Sequence, residues 1–181
     1  MSKDVLVYRI DSADTIVSVS DNWQAFADAN AWSSLLRPEN VVGHSIWEFI
    51  QGLEMRYLYQ ELFRRVRQGI SSRAIPFRCD SPGERRFLEL YIKLLPEGQI
   101  EISSMIRRSE ARSPVRLLDE DTSRSAELVT LCSMCKKIKV SPEQWAEIEE
   151  GLSLLKIFEA DEMPQLSHGL CQYCCDSTMN N

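Results

Sequence analysis

Apolar and β-branched residues dominate two short segments near the start of the chain, 5–10 and 15–19, a composition that is typical of β-strands. The residues between them, at 11–14, are Asp, Ser, Ala and Asp, which favour a turn and so predict a hairpin. Further along, apolar residues recur at steps of three and four between about 54 and 68, which predicts an amphipathic helix. Its apolar stripe consists of Met55, Leu58, Leu62 and Val66.

Three more strands are predicted after this helix, at about 73–79, 86–95 and 98–107. Apolar residues occupy alternate positions in the last two, and turns that contain Pro and Gly separate the three strands. Between the hairpin and the long helix, capping residues such as Ser45 predict short helices. This order of elements predicts an α+β domain over residues 1–108, with a five-stranded antiparallel sheet and helices on one face.

Several parts of residues 4–108 resemble a PAS domain, the sensory module of bacterial signalling proteins. The resemblance is carried by the hairpin, by Asp21-Asn22-Trp23, by the sequence Val-Gly-His-Ser-Ile-Trp-Glu-Phe-Ile at 42–50 and by the three closing strands. It implies a sensory or protein-interaction domain. It also implies a core that can hold a small ligand, of unidentified nature, between the sheet and the helices.

Residues 109–127 have the composition of a linker, because they are rich in Ser, Arg, Asp and Glu and include Pro114. We predict that they join the first domain to a smaller module over residues 128–181. A helix is predicted inside this module, with Ser141 as its N-cap. Pro142 at the first helical position and Gln144 in a capping box support that start. Its apolar stripe consists of Trp145, Ile148, Leu152 and Leu155.

Four cysteines of the smaller module form two C-x-x-C pairs, Cys132 with Cys135 and Cys171 with Cys174. A C-x-x-C turn, here called a knuckle, directs two sulfur atoms toward one point, and two knuckles supply the four ligands of tetrahedral zinc. We therefore predict one structural zinc ion bound by these four cysteines. The spacer between the knuckles, 35 residues long, exceeds that of ordinary zinc ribbons, and the predicted helix accounts for the extra length.

Two neighbouring side chains leave the ligand set open. His168 lies three residues before Cys171 and would give a Cys3His site if it replaced a cysteine. Cys175 directly follows Cys174 and could take its place, although the C-x-x-C spacing favours Cys174. A different chemistry is also open, since a C-x-x-C pair can cycle between dithiol and disulfide.

The tail also resembles a motif found beside PAS, histidine-kinase and receiver modules in bacterial signalling proteins. The resemblance rests on Cys-Ser-Met-Cys-Lys-Lys-Ile-Lys at 132–139, on Trp145 and Glu149, and on Leu-Ser-His-Gly-Leu-Cys-Gln-Tyr-Cys at 166–174. It implies a signalling context for the module and leaves the metal to be tested.

Composition and charge reduce the number of possible functions. The chain has no run of about 18 apolar residues and no secretory leader pattern, so we predict a cytoplasmic protein outside the membrane. Cytoplasmic thiols stay reduced, which favours metal binding or redox chemistry over structural disulfides. Residues 1–108 carry 14 basic and 14 acidic side chains, whereas residues 109–181 carry 7 and 13. Because an acidic module repels phosphates, nucleic acid is not an expected partner.

No enzyme is predicted, because the sequence shows no nucleophile–base pair, phosphate-binding glycine loop or kinase signature, and its two histidines are His44 and His168. The favoured function is a non-enzymatic bacterial signalling or regulatory protein. Its expected partners are proteins of a signalling pathway, among them a second copy of the chain. The alternative function is a redox sensor whose cysteines release metal or form disulfides on oxidation.

Overall fold

The computed structural model describes residues 5–29, 36–70, 73–157 and 160–179 and shows an α+β protein. The described residues form two compact units. The first unit contains residues up to 75 together with residues 89–106, and the second contains residues 76–88 and those from 107 onward.

Five strands form an antiparallel sheet, which confirms that prediction. They are β1 (Val5–Ile10), β2 (Ile16–Val19), β3 (Ile75–Arg78), β4 (Glu84–Leu94) and β5 (Ile100–Ala111). Their order across the sheet is β2-β1-β5-β4-β3. Tyr8 of β1 lies opposite Val19 of β2 on one side and Ile102 of β5 on the other, so the predicted hairpin is also confirmed.

In its described part, the first unit contains three α-helices, the 3-10 helix Ile46–Glu48 and a 3-10 turn at Pro96–Gly98. The helices are α1 (Trp23–Ala29), α2 (Pro38–Val41) and α3 (Leu53–Arg67). The 3-10 helix Ile46–Glu48 begins after Ser45. The Ser45 side chain accepts a hydrogen bond from the Trp47 N–H, and the Glu48 side chain accepts one from the Ser45 N–H. These two bonds confirm Ser45 as a cap. The predicted apolar stripe of α3 is buried, as are Phe63 of α3 and Ile100 of β5.

The second unit contains a four-stranded sheet that the hydrophobic pattern does not predict. Its strands are β6 (Arg124–Cys132), β7 (Ile138–Lys139), β8 (Trp145–Ala146) and β9 (Met163–Gly169), in the order β8-β7-β6-β9. Strands β6 and β9 run parallel, whereas β7 is antiparallel to both of its neighbours. Helices α4 (Ile148–Leu154) and α5 (Gln172–Met179) complete the unit. Its core includes Val115, Leu117, Val129, Leu131, Ile138, Ile148, Leu152, Ile157 and Met163.

The helix predicted to begin at Ser141 is present but starts later, so its predicted start is wrong. The Val140 N–H donates to the Gln144 carbonyl at 2.9 Å, which closes a turn instead of a first helical turn. The turn returns the chain so that Trp145 pairs with Lys139 in β8 and β7. Ser and Pro suit a turn as well as a helix start, so their presence did not discriminate between the two. Helix α4 itself begins at Ile148.

Residues 109–127, for which a linker is predicted, contain ordered elements of the second unit. Strand β5 continues to Ala111, and a 3-10 helix spans Arg116–Leu118. The Val115 N–H donates to the Pro82 carbonyl at 3.0 Å, and Leu117 is completely buried in the core of the unit. The apolar residues 115, 117 and 118 explain this packing, because they bury surface that a solvated linker would expose.

Candidate metal centre

The four cysteines of the two knuckles come together in the second unit. Their Sγ atoms all lie within 4.8 Å of one another. Cys132, Cys171 and Cys174 are buried, and Cys135 is half-buried. Among the residues that the structure describes, these four cysteines form the candidate site for a metal ion.

The first knuckle stands at the end of β6 and is closed by backbone hydrogen bonds. The Cys132 N–H donates to the Lys137 carbonyl at 2.8 Å, and the Lys136 N–H donates to the Cys132 carbonyl at 3.0 Å. Lys136 has a φ of +60°, a left-handed conformation that the tight turn requires of the residue after Cys135. The Ser133 N–H donates to the Gly169 carbonyl at 2.9 Å and thereby ties this turn to the end of β9.

The second knuckle begins just after β9 and continues into α5. The Cys171 N–H donates to Cys132 Sγ at 3.4 Å, and the Cys174 N–H donates to Cys171 Sγ at 3.5 Å. The Cys175 N–H donates to the Cys171 carbonyl at 3.0 Å and starts the helix. N–H donors directed at sulfur stabilise the thiolate form, which is the form that binds a metal.

The parallel pairing of β6 and β9 brings the two knuckles side by side. Cys132 lies opposite Gly169, and Leu131 lies opposite His168. At Gly169, a Cβ atom would approach Thr130 Cγ2 to 3.1 Å, so glycine allows the two strand ends to lie close together. Because both strands end at the same edge of the sheet, the chain segments that follow them carry their cysteines to one place.

The four thiols compete for protons, and this competition favours a cation. Hydrogen bonds from Cys135 and Cys174 lower the pKa of Cys132 despite its burial. The same interaction with Cys132 raises the pKa of Cys135 to about 12 and raises that of Cys174 as well. Cys132 is thus the cysteine that most readily loses its proton. The thiolate charge on Cys132 then opposes a second negative charge on Cys135 or Cys174, because buried negative charges at this distance repel one another. A metal cation removes the conflict by binding thiolates and releasing their protons, so the donor set fits a metal ion.

His168 and Cys175, the two side chains left open by the sequence, do not belong to the group of four. The His168 side chain is exposed on β9, and Cys175 is half-buried on α5. The neighbouring Ser167 instead forms a hydrogen bond with Thr130 across the two strands, at 2.9 Å between their hydroxyl oxygens.

A buried arginine behind the first knuckle is a feature that the sequence did not reveal. The Arg78 N–H donates to the Met134 carbonyl, inside the knuckle, at 2.7 Å. The Arg78 guanidinium donates to both carboxylate oxygens of Asp80 and, at 2.6 Å, to Glu147 Oε2. Burial alone would lower the pKa of Arg78, but these hydrogen bonds outweigh it and raise the pKa. Arg112 Nη1 lies 3.3 Å from Asp80 Oδ2, so the 1% exposed Asp80 side chain has two cationic partners.

A cavity of about 270 Å³ lies against the cysteine group. Cys135 and Cys174 form part of its wall, together with the aromatic side chains of Phe77, Phe87 and Tyr173. Tyr173 is 79% exposed and stands on α5 between the two cysteines of its own knuckle. The cavity therefore brings open space next to the half-buried Cys135.

Comparisons with known proteins give little further information. No family model and no curated protein matches the chain. Among solved structures, a domain of an HTR-like protein from Haloarcula marismortui is similar, with 13% sequence identity and a TM-score of 0.36. That match covers 59% of this chain and all of the archaeal domain. A TM-score of this size does not establish a shared fold.

Membrane insertion through a helix finds no support in the described part of the chain. None of its helices has the length and apolar character that crossing a bilayer requires.

Proposed function

We propose that the chain is a non-enzymatic bacterial signalling or regulatory protein whose second unit is organised by a structural zinc ion. The observation that carries the proposal is the convergence of four cysteine sulfur atoms from two knuckles within 4.8 Å. The protein works through contacts with protein partners in the cytoplasm, and it binds no nucleic acid. Its acidic character over residues 109–181, with 13 acidic and 7 basic side chains, supports the last point.

The geometry of the sulfur atoms supports zinc. In a tetrahedral site with zinc–sulfur bonds of about 2.3 Å, neighbouring sulfur atoms are about 3.8 Å apart. Cys135 Sγ and Cys171 Sγ, which come from different knuckles, are 3.8 Å apart. Cys132, Cys135, Cys171 and Cys174 would occupy all four coordination positions, so no position remains for water or substrate. A closed site of this kind stabilises structure and performs no catalysis.

The order of elements over residues 5–111 supports the sensory part of the proposal. A hairpin, short helices and the longer α3 are followed by β3, β4 and β5, and of these strands residues 76–88 and 107–111 belong to the second unit. In the proposed function the five-stranded sheet and its helices are a PAS-like domain that binds a small ligand or a protein.

The alternative function, a redox sensor, is favoured by one observation. Cys135 is half-buried and lines a cavity, and in this alternative an oxidant such as a peroxide reaches it through that cavity. Oxidation of two thiolates to a disulfide would remove two ligands and release the metal. The two functions therefore differ in how tightly the metal is held under oxidising conditions.

The first prediction concerns the metal itself. Protein purified without added zinc should contain one zinc ion per chain by elemental analysis and should show no visible absorption from iron. We expect Cys171→Ser to lose this zinc, because Cys171 is one of the four grouped cysteines. Cys175→Ser and His168→Ala should keep it, because neither residue belongs to that group.

Three outcomes would contradict the zinc proposal: iron in place of zinc, a metal-free protein with free thiols, or disulfides within the knuckles. Stoichiometric zinc that leaves the protein at low peroxide concentration would instead favour the redox sensor, with the same four ligands.

A further inference from the structure

Lys136, the residue that follows the first knuckle, combines a strained backbone with a half-buried charge. Its φ of +60° lies in the left-handed region, which disfavours a residue that has a Cβ atom. Its side chain is half-buried, and Nζ donates a hydrogen bond to the Ser133 carbonyl, inside the knuckle, at 2.8 Å. Strain of this kind collects at functional sites, so the position of this ammonium group calls for a functional explanation.

The ammonium group of Lys136 lies near both sulfur atoms and a carboxylate. Burial lowers the pKa of Lys136, and negative charge on Cys79, Asp80 and Cys132 acts in the opposite direction. These three groups are therefore close enough to interact with the ammonium group. Cys132 belongs to the group of four cysteines, whereas Cys79 does not.

The carboxylates of this region already have arginine partners. The ion pairs join three arginines to three carboxylates, namely Arg78, Arg85 and Arg112 to Asp80, Glu147 and Glu149. Lys136 forms no ion pair with a carboxylate among the residues that the structure describes. Because the charges of the arginines and carboxylates are equal in number, the positive charge of Lys136 remains for the sulfur atoms.

A site of four thiolates needs such a charge. One zinc ion bound by four thiolates carries a net charge of −2, and three of the four cysteines are buried. Buried charge is unfavourable unless opposite charge or hydrogen-bond donors lie close to it. The Cys171 N–H donates to Cys132 Sγ at 3.4 Å, but a backbone donor supplies only a partial charge. Lys136 brings a full positive charge to the same cysteine.

We propose that Lys136 is a positioning residue of the metal site, which raises metal affinity by balancing the thiolate charge of Cys132. The hydrogen bond to the Ser133 carbonyl holds the ammonium group against the knuckle, and the charge then acts on the sulfur atoms. Groups that surround metal ligands in this way commonly change metal affinity by about 10- to 100-fold. This inference rests on the proposed zinc site and adds to it a residue that is not a ligand.

The second prediction tests the charge of Lys136 through the zinc affinity of the full chain. Competition with a chromophoric zinc chelator at about 0.15 M salt measures this affinity. Lys136→Gln keeps a hydrogen-bond donor for Ser133 but removes the charge, so it should weaken zinc binding by at least about tenfold. Lys136→Arg keeps the charge and should stay within about threefold of the unsubstituted protein. Lys139→Gln removes an exposed charge from the same segment and is the matched control, which should leave the affinity unchanged.

Two further measurements separate the effect of charge from an effect on folding. At saturating zinc, amide protection in β6 and β9 of Lys136→Gln should equal that of the unsubstituted protein. The affinity ratio of these two proteins should change less than about twofold between 0.05 and 0.5 M salt, because salt screens a half-buried charge weakly.

The possible failures of the inference and of the zinc site are distinguishable. Zinc affinity of Lys136→Gln equal to that of the unsubstituted protein would overturn the role of Lys136 and leave the zinc site intact. An equal loss in Lys136→Arg and Lys136→Gln would also overturn it, since the fit of the side chain and not its charge would then matter. An unsubstituted protein that binds no zinc would contradict the proposed function and this inference together.

Discussion

The two units of this protein build their folds by different means. The first unit contains the 15-residue helix α3, and its buried residues follow the regular spacing of that helix and of its strands. The second unit contains strands β7 and β8 of two residues each and the seven-residue helix α4. Elements this short bury little apolar surface and are not stable by themselves.

Long-range links connect the short elements of the second unit. The cysteine group joins the turn after β6 to the turn after β9, and Arg78 joins β3 to both the first knuckle and Glu147. The second unit therefore depends on a few specific residues, whereas the first unit spreads its stability over many. Removing one link should therefore affect the second unit far more than the first.

The third prediction, removal of the metal, is expected to have the largest effect. In small metal-binding modules the free energy of metal binding is also free energy of folding. We expect a zinc chelator to abolish amide protection in β6 and β9 and to preserve it in β1 and α3. Since residues 76–88 belong to the second unit, the amides of β4 up to residue 88 should lose protection together with β6. Hydrogen exchange on the full chain measures all of these segments at once.

The outcome of that experiment also locates the boundary between the units. Loss of protection confined to residues after 128 would place the boundary at the predicted linker and contradict the two units described above. Equal loss in β1 and β6 would show that the chain unfolds as one cooperative unit. Cys132→Ser should reproduce the effect of the chelator, and Cys175→Ser is its matched control.

The fourth prediction concerns Arg78, the second link. Removing one partner of a buried ion pair costs about 3–5 kcal/mol, because the remaining charge stays buried. We expect Arg78→Met to lower the free energy of unfolding of the second unit by about 3 kcal/mol. Asp80 is 1% exposed, and of its two ion-pair partners among the described residues it would keep Arg112. Urea unfolding followed by tryptophan fluorescence, Trp145 being the reporter in this unit, measures the change.

Two further variants make the Arg78 prediction specific. Adding Asp80→Asn to Arg78→Met should restore part of the lost stability, because no buried charge is then left with too few partners. Arg64→Met removes an exposed ion pair with Glu61 on α3 and should leave unfolding unchanged. If Arg78→Met behaved like Arg64→Met, the buried ion pair would not support the second unit.

Most of the first unit could be predicted from the sequence, because its signals are local. Helix α3, predicted over 54–68, spans Leu53–Arg67, since its stripe of apolar residues is contained in one continuous segment. The hairpin of β1 and β2 likewise lies within residues 5–19. In each case the residues that determine the element are the residues that form it.

The sequence predicts the cysteines of the candidate site but not the contacts around them, because those contacts join residues that are distant in the chain. The C-x-x-C spacing identifies the four cysteines, but the pairing of Leu131 with His168 leaves no periodic signal in either segment. Arg78 and Met134 are far apart in the chain, and nothing in an isolated arginine shows that it will be buried. Leu117 lies in the core although the composition of residues 109–127 predicts a linker, because the polar residues of this segment outnumber the apolar residues at 115, 117 and 118.

One glycine in each unit shows the difference between the units at the level of about 1 kcal/mol in stability. Gly43, in the first unit, has a φ of +89° and open space where a Cβ would stand, so only its backbone conformation requires glycine. Gly151, in the second unit, lies inside α4, where helix propensity alone would favour alanine by about 1 kcal/mol. There, however, a Cβ would approach Ile138 Cβ to 3.0 Å, and Ile138 is completely buried in β7.

The fifth prediction is that Gly43→Ala and Gly151→Ala each destabilise their unit by about 1 kcal/mol in urea unfolding, for different reasons. Gly43→Asn should recover part of the loss, because asparagine tolerates a positive φ. Gly151→Ala should cost less in an Ile138→Ala background, since Ile138 Cγ2 and Cδ1, which lie 3.3 and 3.4 Å from the new methyl group, are then absent. The 3.0 Å approach to the Cβ atom of residue 138 remains, so the cost should fall by several tenths of a kcal/mol without changing sign. If Gly151→Ala already stabilised the unsubstituted protein, α4 would not pack against β7 at this distance. Close contacts would then contribute less to the stability of the second unit than we infer here.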